Sequence, residues 1–117
     1  MTEHKEQEAL FEWASYAKVN GKCLREYMWA TENGGSRNPI EARNLKKRGV
    51  TPGVPDVFLA WPTKLYHGLF IEMKRKDGGK VSPAQQQMHE KLLSHKYAVS
   101  VCHGWEEAKN YIEDYLK

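Results

Sequence analysis

The stretch that most constrains the fold is residues 53–76, which place charged side chains within otherwise apolar runs. Asp56 follows a Gly-x-Pro turn and precedes one apolar run, and a second apolar run ends in Glu72-Met-Lys74. The turn-like segment between the runs, centred near Lys64, predicts an antiparallel hairpin. Folding about that centre puts Asp56 opposite Glu72, and directly opposed residues project to the same face.

A cation is the simplest way to stabilise this arrangement. Lys74 shares the face of Glu72, because side chains alternate along a strand. Two carboxylates that close repel each other unless a cation lies between them or one takes up a proton. Oxygen ligands favour Mg²⁺ or Mn²⁺. The pattern therefore predicts a metal site, and a structural ion pair of Asp56 or Glu72 with Lys74 is the alternative.

Composition narrows the class of protein. A chain of 117 residues, 40% hydrophobic and 28% charged, fits one globular domain over residues 1–117. Its apolar runs are too short for a membrane span, and its start is too polar for a signal peptide. Cys23 and Cys102 match no zinc spacing, which favours reduced thiols and a cytoplasmic location. The net charge of +3 is only weak evidence for a nucleic-acid partner.

Hydrophobic spacing and turn residues predict an α/β chain. Asn20-Gly21 is interpreted as the end of the first helix. Helices are expected over residues 3–18, 39–48, 83–95 and from 104 onward; strands are expected over residues 23–31, 56–61, 67–74 and 97–102.

The first helix carries two acids whose role is open. Its apolar stripe through Leu10 and Trp13, traced back toward the start, leads to Glu6 and Glu3, with Gln7 beside them. Acids at a helix N-terminus stabilise the helix dipole, so solvated side chains are the simpler interpretation.

Basic residues cluster in the next segments. Arg37 ends a Gly-rich loop that is either a phosphate-binding turn or a plain connection. The following helix has Asn38 as its N-cap and Pro39 at its first position. Its C-terminal half either contacts phosphates or simply suits the helix dipole; its basic residues are Arg43, Lys46, Lys47 and Arg48.

Gln85 has two possible roles. Ser82, Pro83 and Gln85 form a capping-box pattern at a helix start. Gln85 also follows Glu-x-Lys by one short loop, from which it could reach a substrate group or orient a charged side chain of that motif. No ligand spacing links the five histidines, which are interpreted as surface or packing residues: His4, His67, His89, His95 and His103.

Taken in order, these motifs resemble the PD-(D/E)xK nuclease core, and in detail the VRR-NUC domain (virus-type replication–repair nuclease). The similarity extends over nearly the whole chain. The residues that carry it are Glu3, Gln7, Leu10 and Trp13; Asn33, Gly34, Gly35 and Arg37; Gly49, Gly53, Pro55 and Asp56; Glu72 and Lys74; and Ser82, Pro83 and Gln85.

The resemblance implies a restriction-endonuclease-like fold, a small mixed sheet flanked by helices, and a metal-dependent DNA endonuclease. Asp56, Glu72 and the main-chain carbonyl of Met73 would hold Mg²⁺ or Mn²⁺. Glu3 would bind a second ion or its water, with Glu6 as the competing register. The other two catalytic residues would be Lys74, acting on the attacking water and the phosphate, and Gln85, orienting either the water or Lys74.

The resemblance also implies a substrate. Stand-alone domains of this kind suggest a homodimer acting on branched DNA such as Holliday junctions, in phage or bacterial replication and repair. The location would then be the bacterial cytoplasm. DNA contacts are expected from Arg37, the basic helix and Lys76. Two alternatives remain: a non-catalytic nucleic-acid-binding accessory module, and a nuclease for flaps or single strands.

Overall fold

The computed structural model describes residues 1–31 and 38–117. The predicted loop at Asn33–Arg37 lies outside these residues. The helices are α1 (Glu3–Ala14), α2 (Pro39–Lys47), α3 (Pro83–Ser94) and α4 (Trp105–Tyr115), and Leu24–Tyr27 form a 3-10 helix. The strands are β1 (Lys18–Val19), β2 (Lys22–Cys23), β3 (Met28–Ala30), β4 (Val57–Leu59), β5 (Leu69–Lys74) and β6 (Ala98–His103).

A four-stranded mixed sheet forms the centre of the fold. Its order is β3-β4-β5-β6, with antiparallel pairing from β3 to β5 and parallel pairing of β5 with β6. Parallel strands need a crossover connection, and α3 supplies it between β5 and β6. The predicted small mixed sheet flanked by helices is confirmed.

The β4–β5 hairpin has the predicted register. Val57 pairs with Ile71 and Leu59 with Leu69. One position beyond the first pair, Asp56 therefore faces Glu72. Two charged side chains reach the same end of the sheet because the hairpin folds about the turn between its two apolar runs.

The two faces of the sheet carry different layers. On one face Leu69, Ile71 and Met73 are buried with residues of α1 and α4, including Leu10 and Ile112. Side-chain alternation puts the other residues of β5 on the opposite face, which α3 partly covers; these residues are Phe70, Glu72 and Lys74. The apolar core and the charged residues are thus separated by the sheet itself.

The segment after α1 differs from the sequence prediction. Helix α1 ends at Ala14 instead of residue 18, and β1 and β2 form a hairpin in which Val19 pairs with Lys22. Asn20 and Gly21, with φ angles of 49° and 78°, form its two-residue turn. Asn-Gly with both residues at positive φ is the preferred hairpin turn, so this dipeptide closes a hairpin instead of ending a helix.

The predicted strand over residues 23–31 is also wrong in its first half, because the 3-10 helix Leu24–Tyr27 precedes β3. Leu24 is buried in the core from that helix. No helix in the described ranges has both the length and the hydropathy that crossing a membrane requires.

Candidate active site

Asp56 is fixed by the backbone of the neighbouring strands. Its carbonyl oxygen accepts a hydrogen bond from the Thr31 amide at 2.8 Å. Its Oδ2 accepts one from the Met73 amide, also at 2.8 Å. A carboxylate held by a backbone N–H has a defined direction, so the half-buried Asp56 carboxylate is fixed beside the end of β5.

Glu72 is the buried member of the pair, with 1% of its surface exposed. The pKa of Glu72 is raised from 4.5 to about 8, first by burial and then by the hydrogen bond and negative charge of Asp56. Lys74 lowers that pKa, and Glu3 raises it. A carboxyl group with this pKa gains strongly from a nearby cation, because a positive charge would favour its ionised form.

Gln85 connects the two charged residues of β5. Its Nε2 donates to Glu72 Oε2 at 3.2 Å, and its Oε1 accepts from Lys74 Nζ at 3.2 Å. The same Oε1 accepts from the Ser82 amide at 2.9 Å, and Ser82 Oγ accepts from the Gln85 amide. Gln85 therefore completes the capping box of α3 and also contacts Glu72 and Lys74.

The two candidate acids of α1 have different surroundings. Glu6 is 1% exposed, and its Oε1 accepts from the Trp105 amide at 3.1 Å. It thus caps α4, whose N-cap residue, Gly104, has no side chain. Glu3 lines a cavity of about 310 Å³ together with Asp56 and Met73. The geometry favours Glu3 as the acid facing the site, and it gives Glu6 a structural hydrogen bond.

The basic residues of α2 and its C-cap residue, Arg48, are exposed, and the helix buries one apolar residue, Leu45. No salt bridge of the described residues involves them; they are Arg43, Lys46, Lys47 and Arg48. Lys76, in contrast, forms a salt bridge with Glu106 at 2.8 Å and lies over Gly104. Arg37 lies outside the described residues.

His89 contacts Glu72, which the sequence interpretation did not predict. It is 5% exposed, and its Nε2 lies 3.3 Å from Glu72 Oε1. Burial, and then the charge of Lys74, lowers the pKa of His89. The available signal was its position one helical turn after Gln85, which puts both side chains on one face of α3.

The oxygen ligands at this site suit a hard cation, but the side chains alone do not complete its coordination. Within residues 1–31 and 38–117, no group of three His, Cys, Asp or Glu side chains is arranged to hold a metal ion. The site instead offers the facing carboxyl groups of Asp56 and Glu72, with main-chain and water oxygens as the remaining possible ligands. Mg²⁺ commonly keeps several waters and takes one or two carboxylates, so two carboxyl groups suffice chemically.

Comparisons with known proteins agree with this fold. The family model of the VRR-NUC domain matches residues 1–106. A solved structure described as a VRR_NUC domain protein superposes with a TM-score of 0.87 at 28% sequence identity, covering 99% of this chain and 88% of that one. No curated protein matches the chain. This chain is therefore a nuclease domain with a mixed α/β fold. The chain belongs to the VRR-NUC family.

Proposed function

We propose that this chain is a Mg²⁺- or Mn²⁺-dependent DNA endonuclease of the PD-(D/E)xK type whose active site lies at the end of the β4–β5 hairpin. The observation that carries the proposal is the pairing of Asp56 with buried Glu72, whose pKa is raised to about 8. A protein has little reason to bury one carboxyl group against a second, half-buried one unless a cation offsets their repulsion.

The proposed metal ligands combine this carboxyl pair with a main-chain oxygen and a further acid that the family resemblance implies. Asp56 and Glu72 would each supply a carboxylate oxygen, and the main-chain carbonyl of Met73 would supply a third. Glu3, which lines the same cavity as Asp56 and Met73, would bind a second ion or a water. When bound, the cation would lower the pKa of a water molecule and stabilise negative charge on the phosphate.

Lys74 and Gln85 would act on the reacting groups. An ammonium group has three donors, and Lys74 gives one to Gln85 Oε1. Its other donors would orient the attacking water and stabilise charge on the phosphate. Gln85 would keep Lys74 and Glu72 at a fixed separation, since one amide contacts both.

Cleavage of supercoiled plasmid tests the reaction. The wild-type protein should nick DNA with Mn²⁺ or Mg²⁺ and not with EDTA. Asp56→Asn, Glu72→Gln and Lys74→Met should each lower the rate by at least about 100-fold while the protein stays folded. The matched control is Glu90→Gln, an exposed position on α3. Undiminished metal-dependent cleavage by the three site variants would refute the assignment.

For the substrate we propose branched DNA, cut by a homodimer in phage or bacterial replication or repair. Two sites related by a two-fold axis would suit the two strands of a symmetric junction. The exposed cations of α2 would contribute phosphate contacts that carry no sequence information. Rates on a four-way junction, a flap, a single strand and a linear duplex of matched length decide this point. Equal rates on all four would refute a preference for branched DNA.

A further inference from the structure

Helix α3 presents two hydrogen-bonding side chains to Glu72, one turn apart. Gln85 Nε2 lies 3.2 Å from Oε2, and His89 Nε2 lies 3.3 Å from Oε1. Both oxygens of this carboxyl group therefore have a partner on the same helix, and rotation of the group would break both contacts. The orientation of Glu72 is thus determined by α3 as well as by β5.

His89 occupies an unusual position for a polar residue. It is the buried residue of α3, at 5% exposure, whereas the leucines of that helix are more exposed. An apolar side chain would fill such a position without the cost of desolvating an imidazole. The residue that α3 buries is one that can donate a hydrogen bond to Glu72.

The direction of this hydrogen bond follows from the charge on Glu72. An ionised carboxylate only accepts hydrogen bonds, so Nε2 of His89 must carry the hydrogen when Glu72 holds a cation. The neutral imidazole with hydrogen on Nε2 meets this condition. Hydrogen-bond partners of a carboxylate ligand fix its direction, and losing one commonly weakens metal binding or activity by about 10- to 100-fold.

We propose that His89 is a positioning residue, which holds Glu72 through Nε2–H···Oε1 so that the carboxylate keeps its direction toward the cation shared with Asp56. The inference rests on the proposed metal-dependent function. His89 itself touches neither the cation nor the DNA in this scheme, so its effect should appear first in metal binding.

Three substitutions of His89 distinguish the effect of the hydrogen-bond donor from the effect of side-chain volume. In His89→Gln the amide Nε2 stands as far from the main chain as the imidazole Nε2 does, so it can replace the donor. In His89→Asn the amide is too short to reach Glu72, and His89→Leu has no donor. Glu90→Gln, at the next and exposed position, is the control. Thermal unfolding with EDTA verifies that each variant folds.

The expected result is a graded loss of metal binding. Calorimetric titration with Mn²⁺, without DNA, should give a dissociation constant about 10- to 100-fold higher for His89→Asn and His89→Leu than for the wild type. His89→Gln should recover most of this loss, and Glu90→Gln should match the wild type. In plasmid nicking, the half-saturating Mn²⁺ concentration should follow the same order, with a smaller change in the rate at saturating Mn²⁺.

Two failures are distinguishable. If the wild type neither binds Mn²⁺ nor nicks DNA, the proposed function fails and the role of His89 fails with it. If the wild type does both while folded His89→Asn and His89→Leu keep its Mn²⁺ dissociation constant, only the role of His89 is overturned. Equal losses in His89→Gln and His89→Asn would also overturn it, because a donor at the Nε2 position would then make no difference.

Discussion

At the scale of single residues, Glu72 links the site to the stability of the whole fold. Its pKa is raised from 4.5 to about 8 in the folded chain. A carboxyl group with a raised folded-state pKa favours folding when protonated, so stability without metal falls as pH rises from about 4.5 toward 8. A bound divalent cation should offset this loss, because it binds the ionised form.

Urea unfolding in EDTA tests this linkage. Between pH 5 and pH 7.5 the wild type should lose roughly 3 kcal/mol more of its free energy of unfolding than Glu72→Gln does. His89 has the opposite effect at low pH, because its pKa is lowered. That shift arises from burial and from Lys74, so it should cancel between the two proteins. Parallel pH profiles would contradict the prediction.

Substitution of Glu3 should affect activity, whereas substitution of Glu6 should affect stability. Glu6→Ala removes the acceptor of the Trp105 amide at the start of α4, and should cost about 1–3 kcal/mol of the free energy of unfolding while the folded fraction stays active. Glu3→Ala should leave stability nearly unchanged, because this side chain is exposed, and should lower nicking. Unfolding curves and nicking rates of both variants check this, and the reverse pattern would make Glu6 the catalytic acid.

The same pair shows why part of the site could be predicted and part could not. Asp56, Glu72 and Lys74 could be placed together because strand alternation and one turn fix their relation. Glu3 and Glu6 lie one turn apart on the same helix, so local spacing does not distinguish them. The deciding contact, from Glu6 to Trp105, joins opposite ends of the chain. His89 was missed for a related reason: its role depends on which face of α3 meets the sheet.

At the scale of elements, the loop before β4 positions Asp56 through a close contact with α3. Gly53 has a φ of +88°, and an added Cβ would collide with the carbonyl oxygen of Ala84. Gly49 in the same loop has a φ of +94° but open space around it. Substitutions at these two glycines therefore distinguish the effect of backbone strain from the effect of lost packing against α3.

Gly53→Ala should be more damaging than Gly49→Ala. Both variants carry the strain of a positive φ, about 1–2 kcal/mol, but only Gly53→Ala also pushes the loop away from α3. We expect a larger loss of unfolding free energy and a lower nicking rate in Gly53→Ala. Urea unfolding and plasmid nicking measure the two effects. Equal losses in both variants would show that the contact with Ala84 has little influence.

The elements also show where sequence interpretation fails. The hairpin register and the capping box of α3 were predicted because turn residues and apolar runs act locally. Residues 15–27 were predicted wrongly, because the chain there leaves α1 early, makes a short hairpin and buries Leu24 from a 3-10 helix. That path is determined by packing against the core, which local propensity does not encode.

At the scale of the whole molecule, the proposed dimer needs a surface, and a groove between the β4–β5 turn and the end of α4 is a candidate. The groove encloses about 680 Å³. Leu65 is 75% exposed and Tyr111 39% exposed beside it. Exposed apolar groups gathered in one place are typical of interaction surfaces.

A charge in this groove should weaken a dimer that uses it. Leu65→Glu should raise the dimer dissociation constant at least about tenfold, since a carboxylate would have to be buried at the interface. Equilibrium sedimentation of the wild type and the variant at micromolar concentration measures the change. Leu93→Glu, an exposed leucine on α3, is the control. A wild-type monomer, or equal dissociation constants in all three proteins, would contradict this assignment.

The side-chain amide of Gln85 couples the first turn of α3 to the charged residues of the site. Because it closes the first turn of α3 and also holds Glu72 and Lys74, a brief fraying of that turn would release both charged groups at the same moment. Loss of the hydrogen bonds to Glu72 and Lys74 would then coincide with unwinding of the first turn of α3, and hydrogen exchange of the backbone amides in that turn would report both. Divalent metal, by holding Glu72, should slow exchange at Gln85 and Gln86, far more than at the other end of α3.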